Sequence, residues 1–248
     1  MFAKKTIFGA ILALSLFTIG AAQAQTFTYG VDVMASTSGL TGSGFDNPAA
    51  VSGGLSLSAA SDPAGIQFNN GYGLVYADAA SQTTASAHYL SASVYALADR
   101  ITATAFGNSS PQGNTKARWW DYVTIRSNSL PNGTPVEIIF RSLVSTNRVS
   151  TGVYSGNVYA ELRVGGYSAS TTSRFDSTYG TTEVPGPEIR VKTTVGARLS
   201  LDSKLRAYGR AYYFAPGPIY DGEISIDTTA EIQMDPGTLD VYVEYDSD

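Results

Sequence analysis

Apolar and polar residues alternate along much of this chain, which is typical of strands that bury one face. Such runs occur at residues 27–34, 135–145, 157–164, 189–201, 224–234 and 239–245. Successive side chains of a strand point to opposite sides, so each run predicts one apolar face and one polar face. No stretch beyond residue 24 shows the 3.6-residue period of an amphipathic helix. The pattern therefore predicts an all-β protein.

Turn sequences separate these runs. Residues 130–135 contain Asn132 and Gly133, which tolerate a positive φ, between two prolines. Residues 202–204 interrupt two apolar runs and predict a hairpin, and Pro and Gly at 215–218 and 235–237 predict loops. Antiparallel strands with one buried face pack as two sheets. We therefore predict an antiparallel β-sandwich of jelly-roll type.

Two segments depart from plain alternation. Residues 35–54 are rich in Ser, Thr and Gly, and we expect a surface loop or a loosely held segment there. In residues 77–109, Ala, Ser and Thr alternate with larger residues such as Tyr89 and Val94. Small side chains along a long strand predict a close approach of two sheets. A low-complexity stretch of irregular structure is the alternative.

The first 24 residues have the features of a secretory signal peptide. Lys4 and Lys5 precede an apolar run at residues 7–19, which is short for a membrane span, and Ala22 and Ala24 form a small-x-small cleavage site. We expect cleavage before Gln25 and a single domain over residues 25–248. The mature chain should be secreted or periplasmic, without a transmembrane anchor.

The composition excludes several classes of function. The chain of 248 residues has 16 Lys and Arg against 21 Asp and Glu, so a nucleic-acid partner is not expected. It has no Cys, which excludes disulfides and thiolate metal sites, and one His, which excludes sites that need two imidazoles. His88 lies between Ala87 and Tyr89 without a serine-nucleophile motif, so we expect an ordinary strand histidine. No cofactor is expected.

Carboxylates are the remaining candidates for catalysis. Glu223, Asp227 and Glu231 share one strand face, but at four-residue steps they lie about 13 Å apart, too far for direct acid–base pairing. We expect a solvated face that faces Arg206 and Arg210 across a sheet. No catalytic residue is assigned, and the chain is predicted not to be an enzyme.

Acidic residues also concentrate near the C-terminus. They have no EF-hand spacing, so a solubilising tail is favoured, with Ca²⁺ binding as the alternative. These residues are Asp235, Asp240, Glu244, Asp246 and Asp248.

Two adjacent tryptophans must point to opposite faces of a strand. Trp119 shares its face with Val123 and Ile125, so we expect Trp119 in the core. Asp121, on the same face, is expected near the entrance of the strand, where its carboxylate reaches solvent or a turn amide. Trp120 falls on the other, polar face.

Exposed aromatic residues could stack on sugar rings. The chain has 16 Tyr, and Trp120 shares its face with Tyr122. We select Trp120, Tyr122, Tyr212 and Tyr213 as candidate sugar-binding residues, with Tyr220 nearby in sequence. Amphipathic rings at a sheet boundary are the alternative.

Residues 117–136, Ala-Arg-Trp-Trp-Asp-Tyr-Val-Thr-Ile-Arg-Ser-Asn-Ser-Leu-Pro-Asn-Gly-Thr-Pro-Val, carry a resemblance. They resemble uncharacterised exported bacterial β-rich proteins, many of which are sorted to the cell surface by a PEP-CTERM anchor. The resemblance implies an exported β-rich protein and supplies no catalytic residues. Anchored members end in a Pro-Glu-Pro motif, an apolar helix and a basic tail. This sequence ends in Tyr-Asp-Ser-Asp, so anchoring by that route is not expected.

Four functions are compatible with these features. The first is a non-catalytic exported β-sandwich with a surface, matrix or adhesion role, and the second is a carbohydrate-binding module. The others are a secreted glycan-active enzyme and a fibre subunit that donates a strand at residues 27–33. The expected partners are extracellular polysaccharide or other surface proteins.

Overall fold

The computed structural model describes residues 30–38, 49–52, 56–61, 66–69, 74–100, 108–176, 185–214, 221–237 and 240–247. In these residues the chain forms strands and no helix. The strands are β1 Gly30–Ser38, β2 Ala49–Ser52, β3 Ser56–Ser61, β4 Ile66–Asn69, β5 Leu74–Ser86, β6 Tyr89–Arg100, β7 Asn108–Ser109, β8 Gln112–Ser127, β9 Pro135–Thr151, β10 Tyr154–Val164, β11 Tyr167–Asp176, β12 Glu188–Thr194, β13 Arg198–Ala211, β14 Tyr213–Phe214, β15 Gly222–Asp235 and β16 Val241–Tyr245.

Two seven-stranded sheets enclose the core. Sheet A has the order β11-β10-β13-β8-β1-β2, and β16 pairs with the end of β8 that β1 leaves free. Sheet B has the order β12-β9-β15-β6-β5-β3, with β4 also paired to β5. All pairs are antiparallel, including the small β7–β14 pair, so the predicted antiparallel β-sandwich is confirmed. The jelly-roll connectivity stays a prediction.

The predicted alternation determines which side chains enter the core. On β10, on β15 and at residues 138–142 of β9, every second side chain is buried between the sheets, and the side chains between them face outward. Burying these side chains is the main driving force that holds the sheets together. The fully buried positions on these three strands include Ile138, Phe140, Val158, Ala160, Leu162, Ile224, Ile226 and Ala230.

The run at residues 189–201 is not one strand, as its alternation suggests. It forms β12 in sheet B and the start of β13 in sheet A, and the chain crosses between the sheets at Val195–Ala197. Gly196 has a φ of +88°, which a residue with a Cβ rarely adopts. Because the inner faces of both sheets look into one core, the apolar positions stay inward on both sides of the crossing.

The hairpin predicted at residues 202–204 is wrong. These residues lie inside β13, with Ser203 buried between the sheets. Asp202 pairs with Arg118 of β8, and Lys204 pairs with Glu161 of β10. Charged partners on both neighbouring strands accommodate the polar residues, so the strand continues through them.

The loop predicted over residues 35–54 is wrong at residues 35–38 and 49–52. Residues 35–38 continue β1, and residues 49–52 form β2 beside it. Val33, Ala35 and Thr37 alternate inward, so small and polar residues here still follow the two-residue period.

In its described residues, 77–100 and 108–109, the small-residue stretch forms strands, as predicted, and not an irregular structure. β5 and β6 make a hairpin whose inner face carries alanines packed against sheet A. The prediction of a plain strand histidine is wrong, because His88 occupies the turn of this hairpin with a φ of +65°.

Several predictions lie outside the described residues. These are the signal peptide at residues 1–24, the start of the first run at 27–29, residues 39–48 and 53–54 of the predicted loop, residues 101–107 of the small-residue stretch, the loop at 215–218, Tyr220, Leu239 and Asp248. Within the described ranges, no helix has the length and apolarity that a membrane crossing requires.

Candidate functional site

A cleft opens on the outer face of sheet A, at the end where the β10–β11 hairpin turns. Its volume is about 570 Å³. Cross-strand register places Trp120 of β8 beside Asp202 of β13, Asp202 beside Arg163 of β10, and Arg163 beside Ser168 of β11. The cleft therefore crosses four neighbouring strands, a span of about 14 Å between the outer two.

Trp120 forms one side of the cleft. Its side chain is partly exposed, and the Arg118 guanidinium lies 5.1 Å from the ring centroid. Arg118 is held in turn by Asp202, to which its Nε and Nη2 donate hydrogen bonds of 2.9 and 2.8 Å. The hydrogen bonds to Asp202 raise the pKa of Arg118 above its usual value, so the cation stays charged. The indole therefore rests on a fixed cationic support.

Two tyrosines extend the aromatic surface. Tyr122 follows Trp120 on the outer face of β8, and the Arg198 guanidinium lies 4.1 Å from its ring centroid. Arg198 also pairs with Asp246. Tyr167 starts β11 on the far side of the cleft, with half of its surface exposed. Register pairs Tyr167 with the inward-facing Val164, so Tyr167 borders the cleft at the hairpin turn, whereas Trp120 and Tyr122 share the outer face of β8.

Arg118, Asp202 and Arg163 line the floor of the cleft, and Glu161 and Lys204, which lie beside the cleft, connect these charges. The Arg163 Nε donates to Glu161 at 2.6 Å, and the Lys204 Nζ donates to the second Glu161 oxygen at 3.0 Å. Lys204 also lies 3.9 Å from Asp202, which connects to Arg118. Burial disfavours the charge on Glu161, but hydrogen bonds from Lys204 and Arg163 outweigh burial and lower the pKa of its carboxyl. The floor therefore presents oriented donors and acceptors rather than mobile side chains.

Asp121 borders the cleft, but its carboxylate is on the other side of sheet A. The residue is 1% exposed, and its carboxylate accepts hydrogen bonds from the Tyr122 N–H at 2.6 Å and from the Ser247 Oγ at 2.5 Å. Burial raises the pKa of this carboxyl, and the hydrogen bonds from Ser247 and Tyr122 offset only part of the effect. Of the two contacts predicted for this carboxylate, solvent or a turn amide, the structure shows the turn amide of Ser247. The predicted place near the entrance of the strand is wrong, because Asp121 lies in the middle of β8.

The two aspartates at this cleft lie on opposite sides of sheet A. Asp121 and Asp202 both border the cleft, but Asp121 points into the sandwich while Asp202 points outward. The two carboxylates do not face each other across an open space, as a glycosidase pair does. The structure brings no acid–base pair together in this cleft.

The structure separates the predicted sugar-binding residues. Trp120 and Tyr122 both line the cleft. Tyr212 lies on the same outer face, but ten residues further along than Asp202, which is about 33 Å. Tyr213 points inward and is 2% exposed, so its assignment to a sugar-binding surface is wrong. Consecutive residues face opposite sides, and only one of this tyrosine pair could face outward.

Trp119 is fully buried, as predicted. Its indole stacks on the His88 ring with centroids 4.7 Å apart, and Tyr245 lies edge-on to His88 at 4.1 Å. The three rings join β8, β16 and the β5–β6 turn. Their role is therefore to hold the two sheets together at one end.

Sequence reasoning missed Arg118, Arg163, Tyr167 and Asp202. The two-residue period places Arg118 on the same face as Trp120, so that position had a usable signal. Asp202 lies 84 positions from Arg118, and Tyr167 belongs to a third strand. No local pattern relates residues that strand pairing brings together from distant parts of the chain.

The acidic positions form no metal site in the described part of the chain. No group of three or more His, Cys, Asp or Glu side chains gathers there. Near the C-terminus, Glu244 pairs with Arg126 and Asp246 with Arg198.

The predicted contact of the β15 acids with Arg206 and Arg210 is wrong. Glu223, Asp227 and Glu231 face outward from sheet B, whereas both arginines face outward from sheet A. The two groups lie on opposite surfaces of the sandwich, because β13 and β15 belong to different sheets.

Comparison with known proteins gives no significant match of this chain to a family model, a curated protein or a solved structure.

Proposed function

We propose that this protein is a non-catalytic exported β-sandwich that binds a glycan in the cleft on sheet A. The observation that carries the proposal is the partly exposed Trp120, held on Arg118 above a floor of paired charges. The aliphatic face of a sugar ring packs well on an indole, and sugar hydroxyls need donors and acceptors at fixed positions. The cleft offers both.

Binding of this kind would serve a surface, matrix or adhesion role outside the cell. The partner would be extracellular polysaccharide, or another surface protein through its attached sugars. Secretion or periplasmic location and the kinship with the PEP-CTERM-sorted proteins are part of the same proposal. They are supported by the signal-like N-terminus and by residues 117–136.

The other two candidate functions receive less support. A glycan-active enzyme would need a facing pair of carboxylates, and Asp121 and Asp202 point to opposite sides of sheet A. A strand-donating fibre subunit would need the strand at residues 27–33 to leave its own domain. In the described part of that segment, β1 is paired with β8 on one side and β2 on the other.

Retention on a panel of insoluble glycans tests the proposal. Trp120→Ala should lower retention about five- to tenfold, since stacking of this kind contributes roughly 1 kcal/mol. Tyr242→Ala is the matched control, because Tyr242 is an exposed aromatic residue of β16, near Arg126 and outside the cleft. If wild type binds no glycan of the panel, or both variants bind as wild type does, the proposal is wrong.

A further inference from the structure

Beyond the cleft, the outer face of sheet A carries a second feature, which we call the arginine–tyrosine patch. Its residues come from the four neighbouring strands β11, β10, β13 and β8 and from Tyr212, which directly follows β13. Register places Arg206 of β13 between Tyr159 of β10 and Lys116 of β8. Two residues further along β13, Tyr208 lies in the same cross-strand row as Asn157 of β10 and Arg174 of β11. The patch consists of Lys116, Tyr159, Arg174, Arg206, Tyr208, Arg210 and Tyr212.

Aromatic rings hold two of these guanidinium groups. The Arg206 guanidinium lies 5.7 Å from the centroid of Tyr159, and that of Arg210 lies 4.8 Å from the centroid of Tyr212. The Arg210 Nη2 also donates to Ser110 at 2.8 Å. These contacts already restrict the two arginine side chains, so binding a ligand costs less conformational entropy.

Three arginines of the patch have no carboxylate partner in the described part of the chain. Arg174, Arg206 and Arg210 form no ion pair there, whereas Arg118, Arg163 and Lys204 at the cleft are all paired. Arg174 and Arg206 are exposed. The cleft is therefore close to neutral, and the patch next to it is cationic.

The two faces of the sandwich differ in charge. Among the outward-facing residues of the described strands, sheet A carries nine Lys and Arg against five Asp and Glu, and sheet B carries three against eight. The whole chain has a net charge of −5. Positive charge is thus concentrated on the face that holds the cleft, which attracts an anionic ligand to that face and repels it from the other.

We infer that the arginine–tyrosine patch extends the cleft into a binding face for a carboxylate-bearing polysaccharide, a polyuronate. This inference rests on the proposed glycan-binding function. Along β13, Arg206 lies about 13 Å beyond the Asp202 row of the cleft, and Arg210 lies about 13 Å further. A linear chain seated on Trp120 and running along β13 meets these arginines in turn. Each guanidinium fork can bind a carboxylate through two hydrogen bonds.

Retention on polygalacturonate, measured by affinity electrophoresis at low and high salt, tests the inference. The variant Arg174→Gln, Arg206→Gln, Arg210→Gln should lose at least tenfold in affinity and most of its salt dependence. The matched control Arg141→Gln, Arg190→Gln, Lys192→Gln removes the same charge from sheet B and should retain polygalacturonate binding. Arg206→Gln alone, at an exposed position, should still weaken binding if the triple variant folds poorly.

Neutral dextran and Trp120→Ala separate this inference from the proposed function. Retention on dextran through Trp120, without retention on polygalacturonate, overturns the inference and leaves the proposed function standing. Polygalacturonate binding that needs the arginines but not Trp120 supports the patch and contradicts the cleft.

Three further results also overturn the inference. One is unchanged polygalacturonate binding by the arginine variant. Another is equally tight binding of duplex DNA or sulfated dextran, which would show non-selective attraction to polyanions. The third is salt-sensitive self-association in place of polygalacturonate retention, which would show that sheet A docks on the acidic sheet B of a second copy.

Discussion

Gly113 of β8 and Gly209 of β13 are register partners, and both face the inner side of sheet A opposite Val94 of sheet B. A Cβ at Gly209 would lie 3.0 Å from the Val94 Cγ2, and one at Gly113 would lie 2.8 Å from the Ala80 carbonyl oxygen. Gly156 of β10 continues the row beside Gly209. The sheets can approach this closely because three neighbouring strands present no side chain at this level.

Gly113→Ala should destabilise the fold by about 1–3 kcal/mol, because the Ala80 carbonyl is backbone and cannot turn aside. Gly209→Ala should cost less, since it meets only side-chain atoms of Val94 and Ile224. The free energy of unfolding in urea measures both. Equal losses for the two variants would contradict the close approach at Ala80.

Trp119→Ala should cost about 3–5 kcal/mol, because it leaves a cavity where a fully buried indole packs on His88. Trp120→Ala should cost less than about 1 kcal/mol, since that ring is partly exposed on the outer face. Urea unfolding of the two single variants checks the difference. A larger loss for Trp120→Ala would show that the strand register of β8 is wrong.

His88→Ala should be less stable than His88→Gly by about 1 kcal/mol. Both changes remove the ring that stacks on Trp119, but only glycine adopts a φ of +65° without strain. Against wild type, His88→Gly should lose about 0.5–1.5 kcal/mol of aromatic packing, and relief of the strain that His88 itself carries at this φ should offset part of that loss. Unfolding midpoints rank the three proteins, and an alanine variant more stable than the glycine variant would contradict the turn geometry.

Glu161→Gln should change the pH dependence of stability. Burial disfavours the charge, but hydrogen bonds from Lys204 and Arg163 outweigh it and lower the pKa of this carboxyl in the folded state. At a pH above 4.5, the ordinary pKa of a Glu carboxyl, the charged carboxylate therefore stabilises the fold. That contribution is lost as the pH falls through the lowered pKa. The stability difference between wild type and Glu161→Gln should therefore be largest near neutral pH and shrink below about pH 4.5.

Melting temperatures from pH 3 to 7 measure this difference. Glu231→Gln is the control, because Glu231 is exposed on the outer face of sheet B and its removal should change stability little. A wild-type advantage over Glu161→Gln that stays constant across this range would show that the charge of Glu161 does not stabilise the floor of the cleft.

Strand periodicity alone determined much of this protein. It predicted the sandwich, the burial of Trp119 and the outward direction of Trp120, because successive side chains of a strand point to opposite faces of the sheet. It also predicted the inner residues of β9, β10 and β15. It failed for Tyr213, where the same rule allows only one of two adjacent tyrosines to face outward and the local pattern does not say which.

Tertiary structure decided what periodicity leaves open. The apolar residues stay inward on both sides of the crossing at Gly196, so the hydrophobic pattern does not reveal the crossing. Asp202 continues a strand because Arg118 of the neighbouring strand pairs with its charge. The cleft joins Trp120, Asp202, Arg163 and Tyr167 from four strands. Which strands become neighbours depends on packing between distant segments of the chain. Alternation specifies the face on which each side chain lies, and only strand order specifies which side chains meet there.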